Sequence, residues 1–203
     1  MADFAKKLLA VLNYPRTFPV YLCALCSPQK HLIKKDIARW NKINGIRMGF
    51  FKSINYYMTF KKEFRNLLLH RFRHPSPSFF PFIIARMLWK PLDSLCLYTQ
   101  DIGGGLYIQH GFATTIGAKR IGENCRIYQQ VTVGFKGDES PVLEDNVSVA
   151  CGAIVLGGIT MHAHSLAAAG AVVLKDVPEK AIVAGVPAKV IGYKDENNLD
   201  FQG

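Results

Sequence analysis

The sequence predicts an α+β chain, an N-terminal α-helical region followed by a left-handed parallel β-helix. Three observations carry that expectation. From Leu143 to Pro178 the chain repeats every six residues, reading LEDNVS, VACGAI, VLGGIT, MHAHSL, AAAGAV, VLKDVP. Net charge reverses near residue 95: residues 1–95 hold 17 Lys/Arg against 4 Asp/Glu, and residues 96–203 hold 8 against 11. Composition shifts there too, from Phe/Lys/Arg-rich to Gly/Val/Ala-rich. The expected parts are a basic α-helical domain over residues 1–95, a β-helix over 96–192 and a polar tail over 193–203.

In the first part, LIKKDIARWNKI (32–43) places Leu32, Ile33, Ile37 and Trp40 on one helical face. FKKEFRNLLLHRFRH (60–74) does the same for Phe60, Phe64, Leu67, Leu68 and Phe72, and Pro75 and Pro77 stop it. FFPFIIARMLWKPL (79–92) is an apolar third element ending near Pro91. The basic residues read as a solvated face over these stripes, and their surplus as contact with an anionic membrane surface or a lipid-linked substrate. They are scattered and no groove-reading motif accompanies them, so nucleic acid is not expected.

In the second part, first positions of the hexads (Leu143, Val149, Val155, Met161, Ala167, Val173) should point into a triangular prism. Fifth positions (Val147, Ala153, Ile159, Ser165, Ala171, Val177) should fill its corners. Each hexad is a short strand plus a corner, and three hexads make one coil. The pattern runs upstream through Ile121 and Ile127 to Val133, and Phe135 to Pro141 should bulge out as a loop.

No run reaches the roughly 18 uncharged apolar residues of a membrane-spanning helix. The apolar stretch in MADFAKKLLAVLNY is too short and broken for a signal peptide. Five cysteines without regular spacing fit a reducing compartment, which points to the cytoplasm, with the inner face of the membrane as the place a basic surface would seek. Cys23 and Cys26 form a lone CxxC inside the apolar run VYLCALC and read as buried thiols on a helix.

The residue that first suggests chemistry is His110, in GGGLYIQHGFATTIG, read as lying on a short strand flanked by glycines. Imidazole titrates near neutral pH and can take a proton from a hydroxyl. His162 and His164 share a strand face, the spacing of a metal pair, but stand at solvent-facing hexad positions without a well-placed third ligand, so no metal is expected.

His110, YQQVTVG (128–134), the hexads and the closing VVLKDVPEKAIVAGVPAKVIG (172–192) together resemble the serine acetyltransferase group of hexapeptide-repeat acyltransferases. The resemblance covers roughly residues 98–192 and extends weakly into LIKKDIARW and HRF…FFPFIIARML. It implies a homotrimer of left-handed β-helices under helical caps, through which trimers can pair. It also implies acetyl-CoA as co-substrate, acetyl transfer to a hydroxyl, and a site between neighbouring prisms. The family's catalytic histidine falls on His110, and its assisting acid on Asp101, at an interval shorter by about one hexad. The acetyl-CoA groove falls on Gly134, Cys151, Gly152, Ala168, Ala169 and Gly170, with Lys175 and Lys189 as candidates for the CoA phosphates and a backbone N–H near Gly134 for the oxyanion. At the acceptor positions this chain departs from the family. Gln109 stands for an acid, and Glu139 and Ser140 stand for an Arg-His pair in a shortened loop. Reversal of charge at Glu139 suits a neutral hydroxyl-rich acceptor such as a sugar of a polysaccharide precursor. The alternatives are serine O-acetylation and, from another class, a non-catalytic trimeric scaffold.

Overall fold

The computed structural model describes residues 2–73 and 79–195. It contains two compact units, Met1–Leu92 and Asp93–Gly203. Pro75, Pro77 and all but the first three residues of the expected polar tail lie outside the described residues.

The first unit holds helices α1 (Ala2–Leu12), α2 (Tyr14–Cys26), α3 (Lys30–Asn44), α4 (Phe50–Phe60), α5 (Lys62–Arg73) and α6 (Phe79–Leu88). The stripes expected over 32–43, 60–74 and 79–92 correspond to α3, α5 and α6. Ile33, Ile37, Trp40, Phe64, Leu67, Leu68 and Phe72 are buried, while Leu32 and Phe60 are half-exposed. Helix α4 escapes a stripe reading because its buried positions, Ser53, Ile54, Asn55, Tyr57 and Met58, include two polar residues and span a wide arc of about 200° at about 100° per residue. Around it, Trp40 meets Tyr57 and Phe64 edge-on, with ring centroids 5.4 and 5.2 Å apart.

Two expectations are corrected here. The basic residues are not all a solvated face. Arg71 is buried and forms a two-pronged pair with Asp36, Nε to Oδ2 at 2.9 Å and Nη2 to Oδ1 at 3.1 Å. Arg65 donates to the Met58, Thr59 and Lys90 carbonyls, and Arg16 to the Leu88 carbonyl. These guanidinium groups satisfy carbonyls that helix ends leave open. The CxxC lies on a helix, but its thiols are not buried: Cys23 is half-exposed and Cys26 exposed.

The second unit begins with β1 (Leu95–Leu97), β2 (Tyr107–Ile108), β3 (Thr114–Ile116), β4 (Arg120–Ile121) and β5 (Arg126–Ile127). It continues with β6 (Thr132–Gly134), β7 (Val142–Leu143), β8 (Ser148–Val149), β9 (Ile154–Leu156), β10 (Thr160–Met161), β11 (Leu166–Ala167) and β12 (Val172–Val173). Strands β13 (Ala181–Gly185) and β14 (Ala188–Tyr193) close it as an antiparallel hairpin.

Three parallel sheets form the prism. We call them A (β1-β3-β6-β9-β12), B (β4-β7-β10) and C (β2-β5-β8-β11-β13, with β14 at its edge). Single bridges from Ile102 to Ile121 and from Met161 to Val177 extend sheet B at both ends, so about five coils stack. The fold is the expected left-handed parallel β-helix. Every first position of the six hexads is buried, and so is every fifth. The three-hexad coil holds where Val155 pairs with Val173 and Leu143 with Met161. It is longer where Val133 pairs with Val155, because the 135–141 segment is inserted there.

Corners decide which residues the prism tolerates. Between sheets B and C, Gly105, Asn124, Asn146, His164 and Lys180 stack with φ of 84, 56, 60, 62 and 58°. Between sheets C and A, Gln130, Gly152 and Gly170 do the same at 58, 69 and 69°. A left-handed residue lets the chain turn between sheets without breaking the ladder, and glycine adopts that backbone at least cost.

Candidate active site

His110 is not on a strand. It follows β2 in the corner between sheets C and A, with φ +66°, and its side chain is exposed. This corner is longer than those stacked on it. The path from Ile108 to Thr115 takes seven steps, and the equivalent path from Ile127 to Thr132 takes five. The two additional residues give a bulge in which His110, Gly111 and Ala113 all have positive φ. A left-handed residue is ordinary at these corners, but the extra length is confined to this one. It carries the imidazole out from a ridge that passes over Gln129 and Gln130 on the next coil and is built of small residues on the two coils after it.

That ridge contains most of the expected cofactor positions. Cys151 and Gly152 form the corner two coils on, and Ala168, Ala169 and Gly170 the next, with Ala169 and Gly170 exposed. Their amides are less available than expected. Gly152 N–H donates to Gln129 O, Gly170 N–H to Cys151 O and Ala168 N–H to Val183 O, at 2.8–3.1 Å. These positions offer a ligand a groove without side chains rather than three open donors. A Cβ on Gly170 would meet nothing within 4 Å, so its backbone faces open space.

Gly134 and Lys175 lie elsewhere. Gly134 ends β6 at the corner between sheets A and B, where its carbonyl accepts from Gly157 N–H at 3.2 Å. It shares the phase of Thr132, whose N–H donates to Ala153 O, so its own N–H is directed along the same ladder and not at an oxyanion. Lys175 follows β12 at that corner, and Lys189 sits on β14; both are exposed.

The acceptor positions divide likewise. Gln109, beside His110, accepts a 2.6 Å bond from Arg126 Nη2. Glu139 and Ser140 belong to the inserted loop, a small hairpin closed by Lys136 N–H to Glu139 O. There they line a pocket of about 530 Å³ with Lys119, Val142 and Thr160. The Glu139 carboxylate lies over Gly158, where a Cβ would sit 2.5 Å from Oε2.

Asp101 does not reach His110 within one chain. It flanks the Ile102–Ile121 rung of sheet B, and its carboxylate lies 3.6 Å from Arg120 Nε in an exposed pair. The three glycines after it turn the chain into sheet C before His110 is reached. Of the two metal-like histidines, His162 is engaged locally. His162 Nδ1 lies 3.3 Å from Glu144, whose other oxygen accepts from Ala163 N–H. Among the described residues no three His, Cys, Asp or Glu side chains are grouped as metal ligands.

Sequence reasoning missed the cluster under His110. Arg126 is buried with its guanidinium 5.5 Å from the Tyr107 ring and 4.9 Å from the Tyr128 ring. Burial pushes the Tyr128 phenol above its ordinary range, against the pull of Arg126. The signal was present as Tyr107 and Arg126 facing each other in register on adjacent coils, but only the ladder reveals which residues share a rung.

No protein-family model matches the chain. It is 44% identical over 104 residues to the serine acetyltransferase of Synechococcus elongatus, a match covering 49% of this chain and 42% of that protein. It is 39% identical over 109 residues to the serine acetyltransferase of Bacillus subtilis, covering 50% of each. The fold is similar to the serine acetyltransferase of Brucella abortus solved in complex with coenzyme A, at TM-score 0.58 and 26% identity, over 83% of this chain and 70% of that one. The chain spans about half the length of the curated relatives it matches. In sequence and in fold it resembles the serine acetyltransferase group of hexapeptide-repeat acyltransferases.

Proposed function

We propose that the chain is an acetyl-CoA-dependent O-acetyltransferase and that its acceptor is the hydroxyl of L-serine. The observation that carries this reading is the 39–44% identity to serine acetyltransferases over about half of the chain. The coenzyme A complex of the Brucella relative supports acetyl-CoA as co-substrate. A polysaccharide sugar, the acceptor expected from Gln109, Glu139 and Ser140, finds no support among these relatives.

In this mechanism His110 takes the proton of the acceptor hydroxyl. The oxygen attacks the thioester carbonyl, the C–S bond breaks, and the imidazolium returns its proton to the departing thiolate. The residues assigned to cofactor and acceptor lie on two corners of the prism, so a single copy does not assemble them. This supports a homotrimer in which the His110 ridge of one copy faces the Gly134 side and loop of its neighbour. Five free cysteines support a reducing, cytoplasmic setting.

The test is thiol release from acetyl-CoA with L-serine, and separately with free sugars and nucleotide sugars. Turnover with serine establishes the reading. Turnover with sugars alone restores the glycan acceptor, and coenzyme A binding without turnover on either favours a scaffold.

A further inference from the structure

Helix α1 stands apart from the rest of the helical unit. Every described position from Phe4 to Leu12 is exposed except Ala10, which is half-buried. Yet α1 is amphipathic. Phe4, Leu8, Val11 and Leu12 fall on one side by their spacing, and they are 71, 48, 55 and 67% exposed. An isolated helix of 11 residues is marginal in water and relies on burying its apolar face. This one is tied by the Asn55 Nδ2 bond to Ala10 O, 2.9 Å, while its apolar side chains contribute nothing to the core.

The neighbouring surface continues the pattern. On α2, Phe18 and Leu22 are exposed on the side opposite the buried Val20 and Ala24. Phe18 and Tyr21 meet Phe51 of α4 edge-on, with ring centroids 6.4 and 4.8 Å apart, in a ring cluster that is only half-covered. On α1 the exposed Lys7 borders the stripe by its spacing, whereas Lys6 falls on the opposite side; Lys52, three residues before Asn55 on α4, is also exposed. Residues 1–95 carry a net charge of +13 by the counts above. An apolar stripe with aromatic rings and lysines at its edge matches the acyl boundary and the anionic headgroups of a lipid surface together. No single described helix is long and apolar enough to cross a membrane, and α1 and α2 are bent by 61° at their break, which suits helices lying along a surface.

We propose that the face formed by α1 and α2 docks on an anionic lipid bilayer. The proposal is independent of acetyl transfer and is tested without acetyl-CoA. The full chain is sedimented with phosphatidylcholine vesicles, pure or mixed with phosphatidylglycerol. Binding is expected to the mixed vesicles alone and to weaken as salt rises. Leu8→Asp with Leu12→Asp should lower partitioning by roughly tenfold or more. Because neither side chain is in the core, the double variant should keep the wild-type circular dichroism and unfolding midpoint. A Phe4→Trp variant should be quenched by brominated lipid. Absence of binding to anionic vesicles, or binding undiminished in the double variant, overturns the proposal. Retention through alkaline carbonate would make the segment a span, and a wild-type oligomer split by the double variant would make a second copy the cover. Either result also overturns it.

Discussion

The helical unit and the β-helix are held by opposite strategies. In the β-helix one contact recurs. An aliphatic first position meets its equivalent on the next coil, and a left-handed corner residue donates to the corner of the coil beside it. In the helical unit each important contact occurs once: Arg71 on Asp36, Arg65 on the end of α4, Trp40 against Tyr57 and Phe64. Repetition spreads stability over many equivalent rungs. Singular contacts concentrate it, so a single substitution there should cost more. Function follows the same contrast, because the candidate site arises where one corner of the β-helix departs from its repeat.

A substitution at that departure should cost the most. His110→Ala should lower acetyl transfer by roughly 10²–10⁴-fold while coenzyme A binding, followed by calorimetry, stays within error. Unchanged turnover would remove His110 from the mechanism. Next comes the singular ion pair of the helical unit. Asp36→Ala leaves Arg71 buried without its carboxylate and should cost about 3–5 kcal/mol in urea unfolding. A loss near zero would show that the pair is replaced by water. A corner of the β-helix should cost less. Gly170→Ala adds no clash, so only its φ of +69° opposes the new Cβ, and about 1–2 kcal/mol is expected. Gly134→Ala, without positive φ and with Leu156 Cδ2 at 3.8 Å, should leave stability nearly unchanged, so any change in coenzyme A affinity is read against an intact fold. The last and weakest effect is chemical. Burial, and then the neighbouring Cys26, push the Cys23 thiol above its ordinary range, so less of it is thiolate near neutral pH. Iodoacetamide should therefore modify exposed Cys26 before Cys23, with the order read by mass spectrometry.

The hexads made the β-helix legible because a period of six leaves no other way to bury Leu143, Val149, Val155 and their successors together. The stripes of α3 and α5 were legible for the same reason at helical period. Helix α4 was not, because its buried side includes the polar Ser53 and Asn55 while apolar Phe50, Phe51 and Phe60 are only half-buried. At the candidate site, His110 was singled out through its motif, but the contacts made around it were not legible. Asp101 precedes His110 closely in the chain yet turns to Arg120, whereas Arg126, one coil further on, holds the adjacent Gln109.

The order of amino acids was enough to reveal the period, the division into basic helical and repeating parts, and the residues that must face inward, since all three follow from which side chains avoid water. Packing in three dimensions was needed for the rest. It set which residues share a rung, made the His110 corner two residues longer than its neighbours, bonded three of the groove amides, and turned the apolar side of α1 outward. These outcomes depend on where separate coils and helices meet, and a linear pattern does not contain that information.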